Sequence, residues 1–278
     1  MRQQAFATPD GLKLAVDIDG PESGRPVVLL HGGGQTRGSW KNGMIALVAR
    51  GYRVFAVDAR GHGESEWDAN GDYSLTAQIR DLCGLLKQLP PRPALVGASM
   101  GGVTALGALG ESHPPDARAL VLVDVTPKID PAGAQRIGDF MRANPDGFAT
   151  LEEVADAVSR YNPHRPRPKD VSGLRRNLRE VNGRFFWHWD PAFLGQRRLE
   201  PDTYRAQLEA AARRVKVPTL LVRGAQSEIV GDAEVRHFLD LMPNAEFVDV
   251  AGAGHMVAGD RNDAFNAAIL DFLARVDG

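Results

Sequence analysis

Short, mainly apolar runs recur along the chain and are the most regular feature of its hydrophobic pattern. Runs of this kind are typical of strands that lie buried inside a parallel sheet. An earlier segment, residues 4–18, instead alternates around a Pro9-Asp10-Gly11 turn, which predicts an opening β-hairpin. The six runs are Pro26–Leu30, Tyr52–Val57, Ala94–Val96, Ala119–Val123, Thr219–Val222 and Phe247–Val250.

Segments whose apolar residues are spaced as in a helix lie between these runs. After Ser74 the apolar residues Leu75, Ile79, Leu82 and Leu86 follow a helical period, and a similar period recurs near the C-terminus. Strands that alternate with helices form a parallel sheet, and right-handed crossovers place the helices on both of its faces. The pattern therefore predicts an α/β protein with a doubly wound, mostly parallel sheet of eight strands, the hairpin included.

One stretch interrupts this alternation. Residues 128–214 hold several helical segments and a Pro- and Arg-rich run at 162–169, but no convincing buried strand. We therefore predict a helical cap, or lid, at residues 128–214, inserted after the sixth strand, and a core domain formed by residues 1–127 and 215–278. Because binding sites of open α/β sheets lie at the carboxyl ends of the strands, the cap is expected to cover the site.

Composition narrows the class of protein. The chain has 278 residues, 43% of them hydrophobic and 24% charged, which suits one large globular domain with an insertion. A net charge of −2 suggests neither a nucleic-acid partner nor an anionic membrane surface. The first residues contain no apolar run of signal-peptide length and no stretch is long enough to span a membrane, so we expect a cytoplasmic protein. The single cysteine, Cys83, excludes an intrachain disulfide, and the oligomeric state stays open.

The segment Gly97-Ala98-Ser99-Met100-Gly101 carries the clearest chemical signal. It follows a predicted strand and precedes small residues that predict a helix. In this context a G-x-S-x-G motif places the serine on a sharp strand-to-helix turn, which neighbours without side chains permit. The N-terminus of the helix behind it favours an anionic intermediate. Ser99 is therefore the predicted nucleophile.

A serine hydroxyl is a weak nucleophile and needs a general base. His255 follows the last predicted strand in a loop of small residues that can bring its imidazole to Ser99, so we predict it as the base. Two carboxylates that follow predicted strands lie between Ser99 and His255 in the sequence, so that either gives the order serine, acid and histidine. Glu228, after the seventh strand, is the preferred acid, and Asp124, directly after the sixth strand, is the alternative.

Acyl transfer also needs hydrogen-bond donors for the developing oxyanion. The backbone N–H of Met100, next to the nucleophile, is the first predicted donor. The second is expected from the glycine-rich loop His31-Gly32-Gly33-Gly34-Gln35, because glycines let the backbone approach a substrate closely. Gly33 is the first choice and Gly34 the alternative.

Aromatic residues are candidates for lining a substrate pocket. Trp187, His188 and Trp189 lie in the predicted cap, and Trp40 lies at the start of the first helix. Packing within the cap's own small core is the competing interpretation for the cap residues. Histidines and carboxylates do not cluster at metal-ligand spacing, so we expect no metal and no other cofactor.

Together these segments resemble the α/β-hydrolase superfamily, over the whole chain. The resemblance rests on the His31–Gly34 loop, the Asp58–Ser65 stretch, the Ser99 turn and the terminal Gly254-His255. The Asp58–Ser65 stretch is similar to the D-x-R-G-x-G-x-S segment of the lidded branch. That branch includes haloperoxidase-like esterases, epoxide hydrolases, lactonases and C–C hydrolases. Two departures stand out: the branch usually has Ser-Asp where this chain has Ser227-Glu228, and Gln35 stands where the superfamily has proline.

The resemblance implies a hydrolase that acts on a small molecule. Epoxide hydrolases of this fold use an aspartate nucleophile, so the serine at position 99 disfavours that activity. We expect cleavage of a carboxylic ester or lactone through an acyl-enzyme on Ser99. Two alternatives stay open: a C–C bond hydrolase acting on a vinylogous diketone acid, and a catalytically slow ligand receptor with the hydrolase fold.

Overall fold

An eight-stranded sheet forms the centre of the computed structural model, which describes residues 1–162, 167, 169–195, 200–254 and 262–278. Its strands are β1 Arg2–Ala7, β2 Lys13–Asp19, β3 Pro26–Leu30, β4 Arg53–Val57, β5 Ala94–Ala98, β6 Ala119–Val123, β9 Thr219–Gly224 and β10 Glu246–Val250. Their order in the sheet is β1-β2-β4-β3-β5-β6-β9-β10, and every pair from β4 onwards is parallel. The predicted hairpin, β1 and β2, pairs antiparallel and lies at one edge of the sheet.

Helices cover both faces of this sheet, which explains why its central strands are apolar at every position. Alternate residues of a strand point to opposite faces. In β3, Val28 and Leu30 belong to one hydrophobic cluster, while Val27 and Leu29 belong to the other. The helices are α1 Lys41–Ala49, α2 Leu75–Leu86, α3 Met100–Leu109, α8 Asp232–Leu241 and α9 Asn262–Asp277.

In its described residues, the segment between β6 and β9 adds no strand to the sheet. Its aromatic and apolar side chains form a separate small core around Phe148 and Val154. This agrees with an insertion after the sixth strand, and its role as a lid over the site stays a prediction. The elements are α4 Pro131–Arg142, α5 Leu151–Tyr161, β7 Leu178–Val181, β8 Arg184–Trp187, α6 Ala192–Gly195 and α7 Pro201–Arg214.

The antiparallel pair β7–β8 was not expected in a helical insertion. Its side chains are exposed or half-buried, so it lacks the apolar run that marks a buried strand. Its turn does carry a sequence signal: Asn182 and Gly183 both have positive φ, of 50° and 74°. Asn-Gly is the preferred pair for such two-residue hairpin turns.

Helix α7 belongs with the sheet rather than with the insertion. Leu208, Ala211 and Ala212 are buried, and Ala211 lies directly against Gly110 at the end of α3. This packing favours a boundary near residue 200 over the predicted boundary at 214. Among the described residues, no helix is both long and apolar enough to cross a membrane.

Candidate active site

Ser99 stands alone between the end of β5 and the start of α3, where the chain turns sharply. Its φ of 45° and ψ of −114° lie in a region that non-glycine residues rarely adopt. The turn is held on both sides, because the Ser99 N–H donates to the Val123 carbonyl (3.1 Å) and the Gly101 N–H donates to the His31 carbonyl (3.1 Å). The predicted strand-to-helix turn is therefore present.

The two glycines of the motif are required by backbone contacts. A Cβ on Gly97 would stand 2.5 Å from the carbonyl carbon of Gly101, and a Cβ on Gly101 would stand 2.5 Å from the carbonyl oxygen of Leu30. Neither distance is possible for a real side chain. The motif thus allows β5, α3 and β3 to meet at backbone distance beneath the serine.

The loop of residues 31–35, here called the oxyanion loop after its predicted role, lies beside Ser99, the predicted nucleophile. A Cβ on Gly32 would stand 3.4 Å from the Cβ of Ser99. Two hydrogen bonds between Gly32 and Gln35 close a tight turn in this loop. The Gln35 N–H donates to the Gly32 carbonyl (3.0 Å), and the Gly32 N–H donates to Gln35 Oε1 (3.2 Å). Gln35 therefore closes the turn with its side-chain amide at the position where the resemblance leads one to expect proline.

Three buried histidines hold the loop, and the first of them is His31 itself. Its Nε2 accepts a hydrogen bond from the Ala59 N–H (3.0 Å), so the proton must be on Nδ1, which donates to the Gly32 carbonyl (2.8 Å). The imidazole is therefore neutral and its tautomer is determined by its two backbone partners.

His62 and His188 hold Gly34, two residues beyond Gly32, by its N–H and its carbonyl. His62 Nε2 accepts from the Gly34 N–H (3.2 Å), and its Nδ1 donates to the Arg60 carbonyl (3.1 Å). His188 Nδ1 accepts from the Gly63 N–H (2.9 Å), and its Nε2 donates to the Gly34 carbonyl (3.2 Å). Both rings are therefore neutral as well.

Burial lowers the pKa of all three imidazoles, in agreement with these hydrogen bonds. The pKa of His188 falls to about 4, chiefly through burial and further through the neighbouring His31. Burial and the adjacent His31 and His188 place the pKa of His62 well below its usual value. Burial also lowers the pKa of His31, although Asp58, 4.0 Å away, opposes that shift.

The backbone N–H groups predicted as oxyanion donors differ in whether they already have a hydrogen-bond partner. In the oxyanion loop the N–H of Gly32 is committed to Gln35 and that of Gly34 to His62. Within the described part of the chain, the N–H groups of Gly33 and Met100 have no hydrogen-bond partner. Gly33 rather than Gly34 therefore has an N–H available for a substrate oxygen.

Asp124 follows β6 directly and lies in the row of strand ends that includes Ser99. Its side chain is wholly buried, and its carboxylate accepts from the Gly224 N–H (3.1 Å) and from the Ser227 hydroxyl (2.7 Å). Its own N–H donates to the Val222 carbonyl (2.7 Å). Two donors and the strand pairing thus fix this carboxylate at the carboxyl end of the sheet.

Glu228 lies in a different environment. Its side chain is 46% exposed and forms an ion pair with Arg136 of α4, at 2.8 Å. Ser227, the residue before it, turns inward to Asp124 instead. Of the two predicted acids, Asp124 is therefore buried and hydrogen-bonded, whereas Glu228 is bound to an exposed arginine.

His255, the predicted base, lies outside the described residues. The chain just before it is described: a Cβ on Gly224 would stand 2.2 Å from the carbonyl oxygen of Gly254. The N–H of the same Gly224 is bound to Asp124. The segment that leads into His255 therefore packs against the residue that holds the Asp124 carboxylate.

The predicted substrate-binding aromatics are divided between two places. Trp189 is buried and stacks on Trp187 with ring centres 5.1 Å apart, and a Cβ on Gly34 would stand 3.2 Å from Trp189. Trp40 is instead buried in the core against Phe265. Packing alone accounts for Trp40, while Trp189 lies at the oxyanion loop.

Two further apolar side chains at the loop were not expected from the sequence. Phe193 would contact a Cβ on Gly33 at 3.6 Å, and its ring meets His62 edge-on with centres 4.7 Å apart. The methyl group of Met141 would stand 3.0 Å from a Cβ on Gly34. Neither residue belongs to a motif, so only the fold brings them to the loop.

A family model described as the alpha/beta hydrolase family matches residues 27–268. The chain belongs to the alpha/beta hydrolase family. This confirms the resemblance and the fold class predicted from the sequence. Among curated relatives, the chain is 33% identical over 269 residues to the sn-1-specific diacylglycerol lipase ABHD11 of Mus musculus. The match covers 92% of this chain and 83% of the lipase.

Two further hydrolases are similar to this chain over most of its length. The chain is 28% identical over 277 residues to the 2-hydroxy-6-oxo-6-(2'-aminophenyl)hexa-2,4-dienoic acid hydrolase of Metapseudomonas resinovorans, with 91% of this chain and 85% of that enzyme covered. The crystal structure of E-2-(acetamidomethylene)succinate hydrolase superposes with a TM-score of 0.84 at 26% identity, covering 98% of this chain and all of the other. The family and these relatives support a hydrolase that acts on a small molecule.

Proposed function

We propose that this α/β hydrolase cleaves carboxylic esters or lactones through an acyl-enzyme on Ser99. The observation that carries the proposal is the nucleophile turn beside two backbone N–H groups, those of Gly33 and Met100, which have no partner among the described residues. Such donors stabilise the negative charge that develops on a carbonyl oxygen during acyl transfer. One relative is named a diacylglycerol lipase, and a lipase hydrolyses ester bonds.

In the proposed reaction His255 removes the hydroxyl proton of Ser99 as its oxygen attacks the carbonyl carbon. The N–H groups of Gly33 and Met100 donate to the resulting oxyanion. His255 then gives its proton to the leaving alcohol oxygen as the C–O bond breaks. A water molecule attacks the acyl-enzyme with His255 as base, and the proton returns to Ser99 as the acid product leaves.

Asp124 is the acid that we propose for orienting His255. Its complete burial, its two hydrogen-bond donors and its contact through Gly224 with the chain before His255 support this choice. A buried carboxylate stabilises a protonated imidazole better than one that is exposed and already paired with arginine. The sequence preference for Glu228 has less support, because Glu228 is bound to Arg136.

The surroundings of the oxyanion loop favour an apolar group next to the reacting carbonyl. Phe193 and Met100 lie within 4 Å of a Cβ placed on Gly33, and Met141 lies within 4 Å of one placed on Gly34. A second activity has one specific observation in its favour: the relative from Metapseudomonas resinovorans is named for a dienoic acid hydrolase. Hydrolysis of a C–C bond in a vinylogous diketone acid is therefore the alternative to test, followed by ligand binding without turnover.

The test compares p-nitrophenyl acetate and butyrate hydrolysis by the wild type with that by Ser99→Ala and His255→Ala. Removal of a triad serine or histidine lowers kcat by several orders of magnitude, so both variants should lose nearly all activity. The matched pair Asp124→Asn and Glu228→Gln then identifies the acid. We expect kcat/KM to fall about 10⁴-fold in Asp124→Asn, the effect typical of a triad aspartate.

Glu228→Gln should change kcat/KM by less than about threefold, since an exposed ion pair contributes little. If Glu228→Gln lost far more kcat/KM than Asp124→Asn, Glu228 would be the acid. A wild type no faster than Ser99→Ala would contradict ester hydrolysis. Dienone acids would then test for C–C cleavage, and persistent binding without turnover would indicate a receptor.

A further inference from the structure

Residues 188–190, here called the docking segment, anchor the insertion to the core at the oxyanion loop. Asp190 donates its N–H to the Gly61 carbonyl (2.9 Å), and its carboxylate accepts from the buried Tyr73 hydroxyl. Trp189 covers Gly34. His188, only 3% exposed, completes the segment, because its Nδ1 accepts from the Gly63 N–H and its Nε2 donates to the Gly34 carbonyl.

We propose that His188 is a positioning residue that sets the oxyanion donor Gly33 from the insertion, an inference that rests on the proposed function. Gly33 itself has no hydrogen bond that would fix its N–H among the described residues, so its direction depends on its neighbours. Gly32 is held by His31 and Gln35. Gly34 is held by His62 and His188.

The bond to His188 is the part of this arrangement that comes from outside the core. His31, Gln35 and His62 all lie on loops that follow β3 and β4, whereas His188 follows β8 in the insertion. Gly34 has a φ of 73°, which glycine adopts without strain, and its N–H and carbonyl are bound to His62 and His188. The other contacts of the insertion with the loop, from Trp189, Met141 and Phe193, are apolar, whereas His188 links the position of the insertion to the loop backbone by a hydrogen bond.

An apolar side chain could fill the same volume but could not replace this imidazole. Without it, the Gly34 carbonyl and the Gly63 N–H would each lose a buried partner. The neutral form is required, because Nδ1 must accept while Nε2 donates. Burial keeps the imidazole in that form, since the pKa of His188 falls to about 4.

Two uncharged substitutions separate the two bonds of His188. The amide nitrogen of glutamine can reach the place of Nε2, so His188→Gln keeps a donor for the Gly34 carbonyl. Asparagine is shorter and reaches only the place of Nδ1, so His188→Asn keeps an acceptor for the Gly63 N–H and loses the donor to the loop. The measurements are kcat and KM for p-nitrophenyl butyrate, inhibition by n-butylboronic acid, and the melting temperature.

We expect His188→Asn to lose about 10- to 100-fold in kcat with KM changed less than threefold, since the oxyanion interaction is made only in the transition state. Inhibition by n-butylboronic acid, which forms a tetrahedral adduct with a serine, should weaken by a similar factor. His188→Gln should recover most of both losses. At equal melting temperatures, this difference between the two variants would support a positioning role.

Equal kcat values in the wild type and His188→Asn would overturn the inference. Equal losses in both variants that follow their melting temperatures would also overturn it, because they would indicate a purely structural role. A wild type that binds n-butylboronic acid but hydrolyses no ester would contradict the proposed function alone, and the boronic acid would still rank the variants. A wild type that binds neither probe would overturn both.

Discussion

The Ser99 turn and the oxyanion loop lie side by side at the carboxyl end of the sheet, yet they are held by different means. The turn depends on backbone contacts between Gly97, Gly101 and their neighbours, all within one short segment and the adjacent strands. The loop depends on three imidazoles, which come from three separate positions along the chain. One half of the site is thus fixed by close packing and the other half by side-chain hydrogen bonds.

This difference predicts that the two halves respond to different disturbances. Close backbone contacts tolerate no added atom but do not titrate. Hydrogen bonds to neutral histidines tolerate small changes in volume but fail when a ring nitrogen that must accept becomes protonated. Acid should therefore weaken the loop, and an added methyl group should weaken the turn.

The largest effect is expected from acid. The folded-state pKa values of His31, His62 and His188 lie below the unfolded value of about 6.5, so the unfolded state binds more protons as the pH falls below that value. His188, whose pKa is about 4, then costs about 1.4 kcal/mol per pH unit, and His62 and His31, whose pKa values are also lowered, add to this loss. Urea denaturation at pH 5.5 and pH 7 measures this loss.

His188→Gln provides the control for this pH dependence. Removing His188 should reduce the loss of stability between pH 7 and pH 5.5 by about 1 kcal/mol, the contribution of this one group. An unchanged free energy of unfolding across this range in the wild type would show that the histidines are not buried in their neutral form. The comparison between the two halves of the site would then fail.

A smaller effect is expected from adding a methyl group to each half. Gly101→Ala would force a Cβ to within 2.5 Å of the Leu30 backbone, and such overpacking should lower the free energy of unfolding by about 3 kcal/mol. Gly33→Ala, the matched control, places its Cβ 3.6 Å from the Phe193 ring, an ordinary contact, so the change should stay below about 1 kcal/mol. Urea denaturation of both variants would contradict the comparison if their losses were equal.

The same contrast explains how much of the site could be predicted from the sequence. The strands, the turn and the candidate nucleophile could be predicted because their signals are local: an apolar run, or glycines two positions either side of Ser99. His62 and His188 lie far apart in the chain, and nothing in either neighbourhood indicates that both bind Gly34. Their role depends on tertiary contacts.

The acid and the insertion show the same limit. Asp124 and Glu228 both satisfy the chain order of the triad, and only burial and hydrogen bonding distinguish them. In the insertion, the Asn182-Gly183 pair is a local signal for a hairpin, but apolar periodicity does not detect strands with exposed side chains. Pattern predicts a buried element more readily than an exposed one.

Covalent labelling of the nucleophile tests the central claim most directly. The wild type and Ser99→Ala would be incubated with an alkyl fluorophosphonate, and the modified residue identified by intact and peptide mass spectrometry. An activated serine beside two oxyanion donors should take up one phosphonyl group, on Ser99, and Ser99→Ala should take up none. Wild-type protein that stays unmodified, or that carries the group on another residue, would contradict the assignment of Ser99 as the nucleophile.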